Sequence, residues 1–167
     1  MTTKKKVIIL GNGFSRLHEE KFIDAWKEDI WGCNHAYKDY FQFPRLNRIF
    51  TVHKELFDTI IQYKKDHELD YIVYGANKDV HENTPDLHAC TCALGFSSGS
   101  LAIIQALEEK YDEICLVGFD FGGKDVYQTH LLYGGNFIIQ FQWIRDHYDT
   151  SNIYFIPENN LNKLGII

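Results

Sequence analysis

Apolar residues in this chain alternate between short continuous runs and longer spaced patterns. Lys5–Leu10 ends in Val-Ile-Ile-Leu and stops at Gly11, the signature of a strand buried on both faces. Phe22, Ile23 and Trp26 recur at helical spacing and predict a helix over Leu17–Lys27. Asp29–Cys33 reads as a second strand and Arg48–His53 as a third. Leu56, Ile60, Ile61 and Tyr63 predict a helix through Asp66, and Asp70–Tyr74 a fourth strand closed by Gly75. Residues 76–95 carry Asn, Asp, Pro and His without a period and read as a long loop with one short strand around Thr91–Leu94. Loops of that length in compact domains are usually functional. Ser100–Lys110 sets Leu101, Ile104 and Leu107 on one helical face. Glu113–Gly118 is a strand, Phe137–His147 an amphipathic helix, Ile153–Ile156 a last strand ended by Pro157, and Asn160–Leu164 a closing helical turn.

Strands alternating with helices predict an α/β fold, three-layer and Rossmann-like, with a mostly parallel sheet and helices on both faces. Ligands of such sheets sit beyond the carboxyl ends of the strands, at a switch in strand order. The length, 167 residues, matches one domain of about 150, and no linker or repeat interrupts it, so residues 1–167 read as one nucleotide-binding domain. Seventeen Lys and Arg against 23 Asp and Glu leave a net charge of -6, which argues against capture of long nucleic acid. The apolar run after the first lysines is too short for a signal segment or a membrane span; a cytoplasmic protein without a membrane partner is expected. Cys33, Cys90, Cys92 and Cys115 form no C-x-x-C pair, and His81, His88, Cys90 and Cys92 are the sole cluster for a structural metal. The aromatic surplus, including Tyr37, Tyr40, Phe41 and Phe43, can form core, an acceptor platform or a dimer face; a homo-oligomer is one of the expected states.

Two turns carry candidate chemistry. Gly11-Asn12-Gly13-Phe14-Ser15 follows the first strand. Its glycines allow a sharp turn and close approach of a ligand, and the amides beyond them favour an anion. Arg16 stands where a dinucleotide fingerprint has its third glycine, and no Gly-Lys-Ser/Thr follows. Either the turn holds a phosphate, or it is a tight turn with Ser15 as helix cap. Ser97-Ser98-Gly99-Ser100 opens the Ser100–Lys110 helix; one serine suffices for a cap, and the others offer a second anion or sugar contact. Asn34, His53 and Asp120 end strands and should meet Asn12 and Ser98 at one sheet edge. Asp120 can orient a hydroxyl, bind a metal or stabilise its loop. Residues 122–136 hold four glycines, Tyr127, His130 and Tyr133, a composition suited to a flap over the site. His130 is either a general base or a surface histidine; His18, His35, His67 and His147 read as exposed.

Taken in order, Gly11-Asn12-Gly13-x-Ser15, Cys33-Asn34, the strand ending at His53, Ser97-Ser98-Gly99 and Gly118-Phe119-Asp120-Phe121 resemble the bacterial sialyltransferases of glycosyltransferase family 42. The resemblance implies a CMP-sialic acid site lined by these segments. Asn12 and Ser15 would lie near the phosphate with Gly11 and Gly13 in the turn, Asn34 would contact the donor, and His53 stands where the family has a donor-contacting asparagine. Ser97, Ser98 and Gly99 would face the nucleotide, and Tyr127 falls near a family tyrosine. His130 or Tyr133 falls near the family's catalytic histidine. The chain departs at Phe14, a family proline, and at Gly122, a family tyrosine. The Gly-x-Gly-x-Ser turn and Gly-x-Asp strand end are also similar to the 6-hydroxymethylpterin pyrophosphokinase-like fold, and Ile30–Asn34 with Arg48–His53 looks like small tailed-phage proteins.

Three readings follow. The first is a nucleotide-sugar-dependent glycosyltransferase, with a CMP-type ligand favoured, His130, Tyr133 and Asp120 as catalytic candidates, and no required cofactor since no Asp-x-Asp occurs. The second is an ATP-dependent pyrophosphokinase with Mg²⁺ on Asp120. The third is a non-catalytic nucleotide-sequestering protein.

Overall fold

The structure, a computed structural model, describes residues 3–80, 84–92, 94–120, 122–127 and 134–158. Among them, strands β1 (Lys6–Leu10), β2 (Asp29–Cys33), β3 (Leu46–Phe50), β4 (Ile72–Gly75), β5 (Leu87–Ala89), β6 (Glu113–Val117) and β7 (Ile153–Ile156) form one sheet. Its order is β5-β4-β3-β2-β1-β6-β7, and every pairing is parallel. The helices are α1 (Glu20–Ala25), α2 (Lys54–Asp66), α3 (Ser98–Glu108) and α4 (Gly134–His147), with 3₁₀ turns at Phe14–His18, Asn34–Asp39 and Asn77–Asp79.

The α/β fold expected from the sequence is the fold observed. Because β1 is central, its side chains alternate into two cores. Val7 and Ile9 pack with Leu101 and Ile104 of α3 and Phe141 and Ile144 of α4. Ile8 and Leu10 pack with Ile23 of α1 and Phe57 and Ile60 of α2. Gly32 lets the β2–β3 crossover descend onto the sheet: a Cβ there would stand 2.5 Å from the Ala36 Cβ.

Several expected boundaries shift, each for a packing reason. The helix expected over Leu17–Lys27 divides into the 3₁₀ turn Phe14–His18 and the short α1. Arg16 turns inward and is buried, whereas Trp26 is extended and anchors its Nε1 on the Asp29 carbonyl. The third strand ends at Phe50, not His53, because Thr51 turns its hydroxyl onto Asn34. The short edge strand is Leu87–Ala89, not Thr91–Leu94. Leu87 is buried against Gly75, while the Thr91 amide is taken by Gln105 Oε1. The last helix begins at Gly134, three residues before Phe137. Asn160–Leu164 lies outside the described residues.

The aromatic surplus divides between core and the amino edge of the sheet. Tyr37 and Phe43 are buried, Tyr40 donates its hydroxyl to Asp70, and the exposed Phe41 packs on His67. Asp70 and His67 precede β4, so this group stands away from the strand ends that carry the candidate site. Among the described residues no helix is long and apolar enough to cross a membrane.

Candidate functional site

Strand order switches at β1: β2 to β5 run off on one side, β6 and β7 on the other. The crevice beyond the carboxyl ends of β1, β2 and β6 is where such sheets bind ligands. The glycine turn lies there, and the fold uses most of its amides. Gly11 N–H donates to Val117 (2.8 Å), Gly13 N–H to Gly118 (2.8 Å) and Arg16 N–H to Gly13 (3.1 Å). Ser15 N–H donates to Asp120 Oδ2 at 2.9 Å. The glycines serve close approach to the β6 exit. A Cβ on Gly11 would stand 2.4 Å from the Gly118 carbonyl oxygen, and one on Gly13 2.4 Å from Asp120 Cγ.

The Ser15 amide, one of those the sequence offers to a phosphate, is taken by the chain's own Asp120 carboxylate. Ser15 is not the cap, since Gly13 holds that position. What the turn leaves open are two buried polar atoms without hydrogen bonds, Asn12 Oδ1 and Ser15 Oγ. Such orphans cost about 1–3 kcal/mol each and mark where a ligand or water hydroxyl belongs.

The exits of β2 and β3 meet the start of α3 in one polar chain. Asn34 takes a left-handed backbone, φ 53°, tolerated by asparagine better than by most residues. Its Oδ1 accepts from Thr51 Oγ1 (3.0 Å) and from Ser98 Oγ (2.9 Å). Ser98 Oγ accepts in turn from Val52 N–H, and Thr51 Oγ1 from His53 N–H. Two hydroxyl donors on the oxygen fix the amide's orientation, so Nδ2 is the free end and presents its two N–H groups; no described residue takes them.

The three residues before Ser100 have separate tasks. Ser97 caps α3 and ties it to α4, its amide (3.0 Å) and hydroxyl (2.9 Å) both donating to Gln140 Oε1. Gly99 lies under Phe119, whose Cε1 would be 2.8 Å from a Cβ. Ser98 belongs to the polar chain. The first-turn amides of Ser98 and Gly99 have no partner among the described residues. They lie at the positive end of an eleven-residue helix, where anions are favoured.

Other expected site residues are placed differently. The His53 imidazole is 51% exposed and faces Glu55 at 3.6 Å; it makes no bond to the polar chain, so only its amide belongs there. Tyr127 donates its hydroxyl to Asp39 and accepts from Arg16 Nη2 at 3.0 Å; burial holds that phenol far above its usual range. Arg16 pairs with Asp39 at 2.7 Å and donates to the Gly11 carbonyl at 3.1 Å. His130 and Tyr133 lie outside the described residues, as does His81. Among the described residues no group of three His, Cys, Asp or Glu is placed to hold a metal. Burial raises the Cys33 and Cys90 thiols to about 12, so both are neutral packing groups.

Sequence reading missed Thr51, Arg16, Asp39 and Gln140, and read His35 as exposed. His35 is half-buried, its ring 5.8 Å from that of Tyr127. Arg16 and Asp39 look like surface charges on predicted crossover segments, and no local signal pairs them. Thr51, two residues before the singled-out His53, was the nearest to being legible.

No protein-family model matches the chain, and no curated protein does. Solved structures do match. The sialyltransferase CstII from Campylobacter jejuni, in complex with CMP-3FNeuAc, superposes with a TM-score of 0.66 at 19% identity, covering 95% of this chain and 83% of that one. The chain has the fold of the bacterial sialyltransferases. CST-II in complex with a trisaccharide acceptor and CMP gives 0.62 at 21% identity, over 95% and 83%. The monofunctional α-2,3-sialyltransferase Cst-I from Campylobacter jejuni gives 0.60 at 16%, over 93% and 76%. The sialyltransferase resemblance read from the motifs is thus carried by the fold, while the pyrophosphokinase and phage-protein resemblances gain no support.

Proposed function

We propose that the chain is a sialyltransferase-like, nucleotide-sugar-dependent glycosyltransferase. The observation that carries this reading is the Asn34 carboxamide, pinned through its oxygen by Thr51 and Ser98 beside two open amides of α3. Preorganised N–H donors at a helix N-terminus suit an anion, here the donor's phosphate or carboxylate. The anion therefore sits at the Ser98 and Gly99 end of the site. The glycine turn contributes the Asn12 and Ser15 side chains, whose orphaned oxygens suit ligand hydroxyls. The fold match to CMP complexes favours a CMP-type donor.

In the transfer, the acceptor hydroxyl oxygen bonds to the donor's anomeric carbon as the bond to phosphate oxygen breaks. The nucleotide leaves with the electron pair, and the acceptor proton passes to a base. The motif order assigns the base to His130 or Tyr133. Asp120, held on the Ser15 amide, orients the turn.

The test is a thermal-shift titration with CMP, UDP, ATP and CMP-sialic acid, followed by product analysis with the stabilising donor. Stabilisation by CMP-type ligands and release of nucleotide from the sugar support the reading; no stabilisation by any of the four defeats it. A second reading, a nucleotide-sequestering protein, draws on the commitment of Tyr127 to Arg16 and Asp39. Binding without hydrolysis or transfer from any donor would select it.

A further inference from the structure

A cavity of about 170 Å³ lies on the α1 side of the glycine turn, apart from the Asn34–Ser98 end of the crevice. Arg16 and Phe43 are its buried lining, Asp39, Val126 and Tyr127 are half-buried, and Leu17, Glu20 and Gln42 form an exposed rim. A buried ion pair beside an open cavity is costly unless its remaining hydrogen-bonding capacity is used, and convergent polar groups in a pocket are the usual mark of a binding site.

The lining decides the class of occupant. Sites for drug-sized ligands begin at roughly 300 Å³, so this cavity admits one ring and not a nucleotide. Asp39 Oδ2 accepts from both Arg16 and Tyr127, while Oδ1 has no hydrogen bond among the described residues. The side chains of Glu20 and Gln42 likewise have none. Arg16 offsets Asp39 and Glu20 adds a negative charge, which disfavours an anion. The guanidinium 2.7 Å from Asp39 disfavours a second cation beside it. Neutral hydroxyls remain: they donate to Asp39 Oδ1 and exchange hydrogen bonds with Gln42, while Phe43, Val126 and Leu17 offer an apolar wall to a ring face.

We propose that this cavity binds one neutral hydroxylated ring, the size of a single monosaccharide unit, at a site separate from the nucleotide crevice. The site stands without the transferase reading. Arg16 connects it to the turn through the Gly11 carbonyl.

Saturation-transfer NMR on the full chain tests this, with glucose, galactose and N-acetylglucosamine as neutral probes and glucosamine, glucuronate and CMP as charged ones. At least one neutral sugar is expected to bind, with a dissociation constant on the order of 1 mM for so small a ligand. Leu17→Trp, which fills the rim, should remove the signal, and Gln42→Ala should weaken binding at least threefold; both positions are exposed, and a thermal melt confirms that each variant folds. Sugar binding by a chain that none of CMP, UDP, ATP and CMP-sialic acid stabilises supports the cavity and defeats the nucleotide reading alone. No saturation signal on any neutral sugar, binding of glucosamine or glucuronate only, an unchanged signal in Leu17→Trp, or one-for-one displacement of the sugar by CMP would overturn the proposal.

Discussion

Replacing Asn34 by aspartate changes the chemistry of the site with almost no change of shape. The carboxylate still accepts from Thr51 Oγ1 and Ser98 Oγ, at the positions now 3.0 and 2.9 Å away, and aspartate tolerates the left-handed backbone. The two outward N–H donors become a negative oxygen. Loss of a hydrogen bond to a charged ligand costs about 1.5–3 kcal/mol. Repulsion between the new carboxylate and a ligand anion adds up to a few kcal/mol at an effective dielectric near 20. Together they amount to about 3–5 kcal/mol, or roughly 150- to 5000-fold in affinity. The assay is a thermal shift with CMP-sialic acid. At a concentration 100 times Kd, ligand adds about 2.7 kcal/mol to stability, a rise of roughly 5–10 °C for a chain of this size. In Asn34→Asp the same concentration reaches at most Kd, and the rise shrinks to about 1 °C. Asn34→Ala is the structural control: it strands two hydroxyls and lowers the ligand-free Tm, whereas Asn34→Asp leaves it within about 3 °C. His53→Ala, at an imidazole outside the polar chain, should leave binding unchanged. If Asn34→Asp binds within threefold of the wild type, the amide does not face the ligand and the anion-site argument fails.

Further predictions follow from neighbouring features. Gly13→Ala drives a methyl into Asp120, 2.4 Å from its Cγ, and should detach that carboxylate from the Ser15 amide; a loss of about 1–3 kcal/mol in urea unfolding is expected, and an unchanged midpoint would refute the contact. Arg16→Ala leaves Asp39 and the Tyr127 hydroxyl without their cation, so a loss of about 3 kcal/mol is expected. Asp39→Ala in that background should then cost much less than it does alone, and strict additivity in the double-mutant cycle would refute the coupling. Burial lifts the Cys33 and Cys90 thiols from 9.0 to about 12. Folded thiols stay protonated while unfolded ones ionise, so stability is full below pH 9 and falls as pH rises towards 12. The slope is at most about 1.4 kcal/mol per pH unit for each thiol, and urea melts of Cys33→Ala between pH 8.5 and 10.5 should show a shallower decline.

The motifs of the crevice were legible because they are local. An apolar run stopping at Gly11, a serine before an apolar helix and a Gly-x-Asp strand end each announce themselves within a few residues, and their order carries the resemblance that the superposed structures bear out at the level of the fold. Their division of labour was not legible. Gly13 and Asp120 are 107 positions apart, and only the parallel pairing of β1 with β6 sets the carboxylate on the glycine and fills the Ser15 amide. The same holds for Arg16, Asp39 and Tyr127, three unremarkable residues on three crossovers that become one buried cluster.

What the sequence by itself determined is the alternation of strands and helices, and with it the sheet and the edge where ligands gather, because periodicity and turn chemistry act over a few residues. Which amide, oxygen or guanidinium at that edge remains open was decided only by tertiary structure. A hydrogen-bonding group is free or spent according to what the rest of the chain brings within about 3 Å of it, and in a parallel sheet those partners come from distant crossovers.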